Sequence, residues 1–513
     1  MEAFFGGVSA LRRAAPRLAS EAFVCRRCLH ERAAPRQTFK SLRQTPYLQA
    51  FRSRPAQITR YNSTSSTTQP LSPLATLSKS IGPNTTAKAP PAKTSAFPET
   101  SDKKVAYWLL GSAASVFGIV VFGGLTRLTE SGLSITEWRP VTGSLPPMTL
   151  EKWESEFALY RASPEFKQIN SRMTLEEFKQ IYWMEWIHRL WGRVIGMSFL
   201  LPTAYFIARR RVSSRMALKL VGICGLIGFQ GVIGWWMVKS GLKDDLFAPG
   251  SHPRVSQYRL TAHLGAAFIC YLAMLWNGLA ILRQHRLLAN PAESQQLLTA
   301  MSNPALKVFR RSVAALAVLV FITAMSGGLV AGLDAGLIYN EFPYMGLGLT
   351  PPKKELFDTF YSHVPDHSDL WWRNMLENPS LVQLDHRVLA TTTFTAVMAL
   401  WAYTRFNPRV KALLTPGARK GVRGVVHLVW LQATLGITTL LYLVPVPLAS
   451  AHQAGALALL TGTVVLGSRV WVPRRSARLV AQRLAQAHGA SKAAVGRRGP
   501  DAMLRAQTGI AQA

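Results

Sequence analysis

Acidic residues and cysteines are the scarce components of this chain. Its 513 residues hold 26 Asp and Glu against 59 Lys and Arg, and four cysteines. Cys25 and Cys28 lie near the N-terminus, and Cys224 and Cys270 fall inside apolar runs, so no disulfide framework is built. A formal charge of +33 invites a nucleic-acid partner, yet the basic residues form no compact patch and are divided among the N-terminus, alternate connections and the tail. No nucleic-acid partner is therefore expected. Long hydrophobic runs are abundant: 49% of residues are hydrophobic and the mean hydropathy is +0.12, as in a chain that crosses a bilayer several times.

Residues 1–60 are rich in arginine, with Glu2, Glu21 and Glu31 as the acids, the composition of a mitochondrial transit peptide. Residues 61–104 are rich in Ser, Thr and Pro and lack the apolar residues of a core, so they read as a disordered linker. Eight apolar runs follow, near 105–125, 187–208, 217–238, 258–282, 310–331, 387–404, 424–444 and 449–470; the sixth is the shortest. Most have the roughly 20 residues that a spanning helix needs. The fold class is thus an all-α integral membrane protein of eight transmembrane helices.

Charge orients the runs. The connections holding Arg209, Arg210, Arg211 and Arg215, then Arg283 and Arg286, then Arg405 and Arg409 alternate with loops 126–186, 239–257 and 332–385, which are mixed or acidic. By the positive-inside rule both termini and the basic connections face the matrix, and the long loops face the intermembrane space. The basic tail, 473–513, suits the anionic matrix leaflet or disorder.

The runs form an internal repeat. Gly123-Gly124-Leu125 matches Gly327-Gly328-Leu329, His188-Arg189 matches His386-Arg387, Gln230 with Gly234 matches Gln432 with Gly436, and His263 matches His452. The repeat predicts two pseudo-symmetric four-helix bundles in parallel orientation, 105–285 and 308–472, joined by a matrix connection at 286–307.

Each of these four histidines opens an even-numbered span, so all four lie at one depth toward the intermembrane space. A single histidine at a helix end is ordinarily an interfacial residue, as His427 is read. Four at repeat-related positions point to cofactor ligation, and imidazole is a common axial ligand of haem iron. Arg127, Arg189 and Arg387 lie near the wet edge, where they can pair with propionates. The halves differ at one place. Glu185 stands three residues before His188, on the same helix face, whereas Gln383 holds that position before His386. Proton-transfer chemistry therefore belongs to the N-terminal half, a structural ion pair being the plainer reading of Glu185. The residues alone also allow a di-haem electron carrier of cytochrome b type, or a two-repeat transporter with a proton relay.

The stretch Gly123-Gly124-Leu125-Thr126-Arg127-Leu128-Thr129-Glu130-Ser131-Gly132-Leu133-Ser134-Ile135-Thr136-Glu137-Trp138 resembles the haem A synthase family. So do Glu185-Trp186-Ile187-His188-Arg189, Thr261-Ala262-His263-Leu264, Asp385-His386-Arg387 and Ala451-His452-Gln453. The likeness is to the family's mitochondrial, fungal-type members and spans about 105–470. It implies an oxidoreductase of the inner mitochondrial membrane that converts the C8 methyl of haem O to the formyl group of haem A, for cytochrome c oxidase assembly. It further implies Glu185 as the essential carboxylate, His188 and His263 as ligands or neighbours of the substrate haem, and His386 and His452 as axial ligands of a prosthetic haem B. Ferredoxin and ferredoxin reductase are the implied electron donors, with haem O synthase, oxidase assembly factors and a second copy of the chain as further candidate partners. Bacterial relatives often carry a cysteine pair in an outer loop; this chain has none there.

Overall fold

The structure, a computed structural model, describes residues 97–248 and 252–508. The expected leader, and the linker up to residue 96, lie outside the described residues. The linker boundary at 104 moves back slightly, because Asp102 already caps the first helix by accepting from Lys104 N at 2.9 Å.

The long helices are α1 (Lys103–Leu128), α4 (Leu175–Ala208), α5 (Ser214–Val238), α6 (Gln257–Ala289), α8 (Lys307–Gly332), α10 (Pro379–Phe406), α11 (Pro416–Leu441) and α12 (Val446–Val470). Between them lie α2 (Leu150–Arg161), α3 (Pro164–Gln168), α7 (Pro291–Ser302) and α9 (Leu370–Glu377), and α13 (Arg474–Thr508) follows. Among the described residues seven helices are long and apolar enough to cross a membrane: α1, α4, α5, α6, α8, α11 and α12. The protein is therefore an all-helical integral membrane protein. The expected sixth span is a continuous helix, α10, but Thr391, Thr392, Thr393 and Thr395 dilute its apolar run. Thr391 and Thr392 turn their hydroxyls onto the Arg387 and Val388 carbonyls of their own helix, at 2.8 and 2.7 Å, so neither is left unsatisfied.

α1 packs on α4 and α6, and α5 packs on the same two. α8, α10, α11 and α12 repeat the pattern: α8 meets α10 and α12, and α11 meets the same pair. The two sets touch where α6 meets α8 and where α12 meets α1 and α6.

α4 begins with a full capping box. Thr174 Oγ1 accepts from Glu177 N, and Glu177 Oε2 accepts from Thr174 N at 2.8 Å. Its 34 residues extend roughly 50 Å, well beyond a hydrocarbon core of about 30 Å. The surplus is spent at the N-terminal end, where Phe178 and Tyr182 join Trp153 and Tyr160 of α2 in a buried aromatic cluster. What the sequence suggests is a plain loop is thus a small helical cap whose last element continues directly into a span. At the opposite end, α13 docks rather than floats: Leu479 and Val480 are buried with Leu287, Leu288 and Leu298 of α6 and α7. The disordered alternative for the tail does not hold for this segment.

Candidate functional site

The four repeat-related histidines line one continuous cavity of about 1900 Å³. That is about twice the upper end of pockets that hold a drug-sized ligand. His188 lies on α4, His263 on α6, His386 on α10 and His452 on α12.

Each imidazole is seated against a glycine of the neighbouring helix. A Cβ at Gly123 would lie 2.8 Å from His188 Cε1, and one at Gly436 would lie 2.8 Å from His452 Cε1. At Gly234 and Gly327 the distances to Cε1 of His263 and His386 are 3.3 and 3.1 Å. The repeat of glycines seen in the sequence thus has a local cause: a residue without a side chain lets the Cε1 corner of the ring approach the helix backbone closely. The second glycine of each pair faces the other set of helices. A Cβ at Gly124 would collide with Gln453, and one at Gly328 would press on Thr261 and Leu264.

The His386 and His452 ring centres are 6.4 Å apart with planes at 90°. Two metal–nitrogen bonds of about 2 Å, plus the radii of two rings, give a spacing of about 6 Å, so this pair fits the axial positions of one iron. His386 is also held in the correct tautomer. Ser326 Oγ donates its proton to the Thr323 carbonyl at 2.8 Å and lies 2.8 Å from His386 Nδ1. With that proton committed, Ser326 accepts from Nδ1–H, which leaves the Nε2 lone pair for a metal. Among the described residues none of the four Nε2 atoms makes a hydrogen bond.

Glu185 is buried at the cavity wall, 4% exposed. Its Oε2 accepts from Ser134 Oγ (2.7 Å) and Ile135 N (2.8 Å); its Oε1 accepts from Arg189 Nε (3.0 Å) and Nη2 (2.6 Å). Four donors fill the roughly four lone-pair positions of a carboxylate. Gln383 is the counterpart in the other half, and its surroundings are inverted. Its Nε2 donates to the Ala335 and Tyr339 carbonyls at 3.0 and 3.1 Å, and Arg387 Nη2 approaches its Oε1 at 3.5 Å. Each polar side chain clamps the loop that follows the first helix of its own set, one through donors and the other through carbonyls.

The three arginines at the mouth all line the cavity. Arg189 has every nitrogen engaged, adding the Glu137 and Ile135 carbonyls to Glu185. Arg127 Nη2 pairs with Asp334 at 2.7 Å, and Arg387 donates to the Tyr339, Glu341 and Tyr344 carbonyls. Arg127 and Arg387 each keep a buried Nε without a partner.

Several contributors were hidden from sequence reasoning. Asp334 sits in the left-handed region at φ 52° and bridges Arg127 to Arg254 Nη1 at 3.2 Å. Glu165 in the cap is 4% exposed, and its Oε2 has no hydrogen-bond partner. Burial, aided by the negative charges of Glu185 and Glu130, pushes its carboxyl up to about 8. A lone acid in a short polar helix gives no sequence signal of either property.

The profile of the cytochrome oxidase assembly protein family (COX15-CtaA) matches residues 106–464. The chain is 53% identical to the Heme A synthase COX15 of Saccharomyces cerevisiae over 381 residues, 74% of this chain and 78% of that protein. It is 53% identical to a heme A synthase–mitochondrial ferredoxin fusion protein of Schizosaccharomyces pombe, over 72% of this chain and 60% of the fusion. The human Heme A synthase COX15 is 44% identical over 72% of this chain and 83% of its own length. With one cavity holding all four histidines, and identities of this size across most of its length, the chain belongs to the haem A synthase family.

Proposed function

We propose that this protein is a haem A synthase of the mitochondrial inner membrane, oxidising the C8 methyl of haem O to a formyl group. The observation that carries the reading is one cavity lined by all four repeat-related histidines, with the buried Glu185 in its wall where the second half has Gln383. In this reading the helices α1, α4, α5 and α6 form the N-terminal four-helix bundle with the substrate haem, between His188 and His263. Helices α8, α10, α11 and α12 form the C-terminal bundle, and His386 and His452 hold haem B. Helix α10 is then the eighth span, and both termini lie in the matrix with the haem sites toward the intermembrane space.

Side chains here carry no oxidant strong enough for a methyl C–H bond, so the bound haem supplies the redox chemistry. The protein's own part is positional and electrostatic. Glu185 ties Ser134-Ile135 over the cavity and fixes a negative charge at its wall, where positive charge developing on the substrate is stabilised. Its filled lone pairs favour this role over that of general base, which requires one of the four donors to leave first. Arg127 and Arg387, which line the cavity, are the proposed partners of the propionates, whereas Arg189 serves as the clamp of Glu185. A ferredoxin is the proposed electron donor, a choice supported by the fused relative.

The test is to purify the protein from a host that makes haem O and to chromatograph its extracted haems. Haem A or its hydroxylated precursor, absent from a control lacking the protein, is the expected result. Haem B alone, with haem O available, overturns the assignment and favours an electron carrier, for which Glu185 has no use.

A further inference from the structure

The two halves repeat each other closely enough that a single chemical difference behind one histidine stands out. The residue before each glycine pair is Phe122 in α1 and Ser326 in α8. Ser326 holds His386 Nδ1 at 2.8 Å. Phe122 lies parallel to His188, with ring centres 6.4 Å apart and planes at 9°, and offers it no acceptor. His188 Nδ1 is buried with no partner, as are His263 Nδ1 and His452 Nδ1; among the described residues His386 alone has this nitrogen anchored.

A second, independent pair differs in the same sense. Gln432 in α11 donates from Nε2 to the His452 carbonyl at 2.9 Å, tying the ligand's backbone to the neighbouring helix. Its counterpart Gln230 in α5 has both amide atoms buried without a partner. The C-terminal pair of histidines is therefore held by two outer contacts that the N-terminal pair lacks.

Outer hydrogen bonds to a ligating imidazole fix its orientation and raise its basicity, and their loss weakens metal binding by about 10–100-fold. We propose that Phe122 and Ser326 set how firmly each half keeps its metal-bound histidine, making the His188 site an exchanging site and the His386 site a permanent one. The inference rests on the haem reading above and deepens it. A substrate must enter and a product must leave one site, while the other must not lose its group. Phe122 and Ser326 act through their histidines and are positioning residues.

Transfer of haem to excess apomyoglobin, followed by the Soret change, tests this with the full-length detergent-purified protein. Wild-type protein is expected to release haem in two phases. Phe122→Ser should slow the fast phase, and Ser326→Ala should speed the slow phase, each by about 10–100-fold. Ser326→Thr, which keeps the hydroxyl, should restore the slow phase, a rescue that a purely structural role does not predict. Wild-type phases in both Phe122→Ser and Ser326→Ala overturn the proposal. Should Phe122→Ser fail to fold, the Ser326→Ala and Ser326→Thr pair decides alone, because removing one oxygen leaves the packing intact. A wild-type protein with no Soret band at all overturns the haem reading instead.

Discussion

Replacing Glu185 by glutamine keeps the shape of the side chain and inverts one of its edges. Around Glu185 all four partners are donors: Ser134 Oγ, Ile135 N and two nitrogens of Arg189. A glutamine must point its NH2 at one pair of them. The less costly choice turns the amide oxygen toward Arg189 and the NH2 toward Ser134 and Ile135. Ser134 can adapt, because its hydroxyl has the Ser131 carbonyl within 3.1 Å as another acceptor. The Ile135 N–H cannot, and a buried donor left without a partner costs about 1–3 kcal/mol. Breaking up the buried ion pair adds to this, up to the 3–5 kcal/mol seen when one partner of such a pair is removed. Glu185→Gln is therefore expected to loosen the Ser134-Ile135 loop and lower thermal stability by at least about 1–3 kcal/mol, the lost ion pair adding to that. Haem B content should stay near wild type, and the extracted product should shift from haem A toward haem O and its hydroxylated form. Thermal unfolding in detergent together with haem chromatography reads both effects. Stability within about 0.5 kcal/mol of wild type would refute the donor-cage reasoning, and undiminished haem A would refute the role of Glu185.

The converse change, Gln383→Glu, places a carboxylate against the Ala335 and Tyr339 carbonyls and should destabilise the C-terminal site, seen as lost haem B. Gly436→Ala puts a methyl 2.8 Å from His452 Cε1 and should displace that imidazole, abolishing the low-spin bis-histidine spectrum expected of the haem B proposed there. Asp334→Asn removes the charge shared by Arg127 and Arg254; with Asp334 37% exposed the loss should be about 1 kcal/mol and shrink in high salt, as a melting series would report. Glu165 is raised to about 8 by burial, so its contribution to stability is complete below about pH 4.5 and lost as pH rises to about 8. Glu165→Gln should flatten that part of the stability–pH curve, and an unchanged slope would refute the burial argument.

The sequence carries the long apolar helices and the four cavity-lining histidines well because both are periodic and repeated. Apolar runs and four histidines at matched offsets are visible without tertiary information, and the Glu185/Gln383 difference is legible as a break in the match. The long-range partners of Arg189 and Arg387 are not legible, because they are backbone carbonyls recruited from loops 43–54 residues away. The cap was missed because α2 and α3 are short and polar, and their few aromatic residues gain a core only by meeting one another and the start of α4. Helix α10 is the weakest apolar signal for a definite reason: Thr391 and Thr392 satisfy themselves on their own helix and Thr393 pairs with Thr323 of α8, which hydropathy does not register. Ser326 and Phe122 differ within otherwise matching runs, and nothing in one sequence says that a hydroxyl there meets an imidazole.

The second glycines carry a consequence of their own. Gly124 of α1 meets Gln453 of α12, and Gly328 of α8 meets Leu264 of α6. Gln453 follows His452 and Leu264 follows His263, so they occupy equivalent positions. The contact is therefore reciprocal: the surface that the first half offers the second is the surface the second offers the first. That is the arithmetic of an isologous two-fold dimer, here closed within one polypeptide. A reciprocal interface of this kind sets its own register, so a chain cut in the connection between α6 and α8 is expected to reassemble from its two pieces.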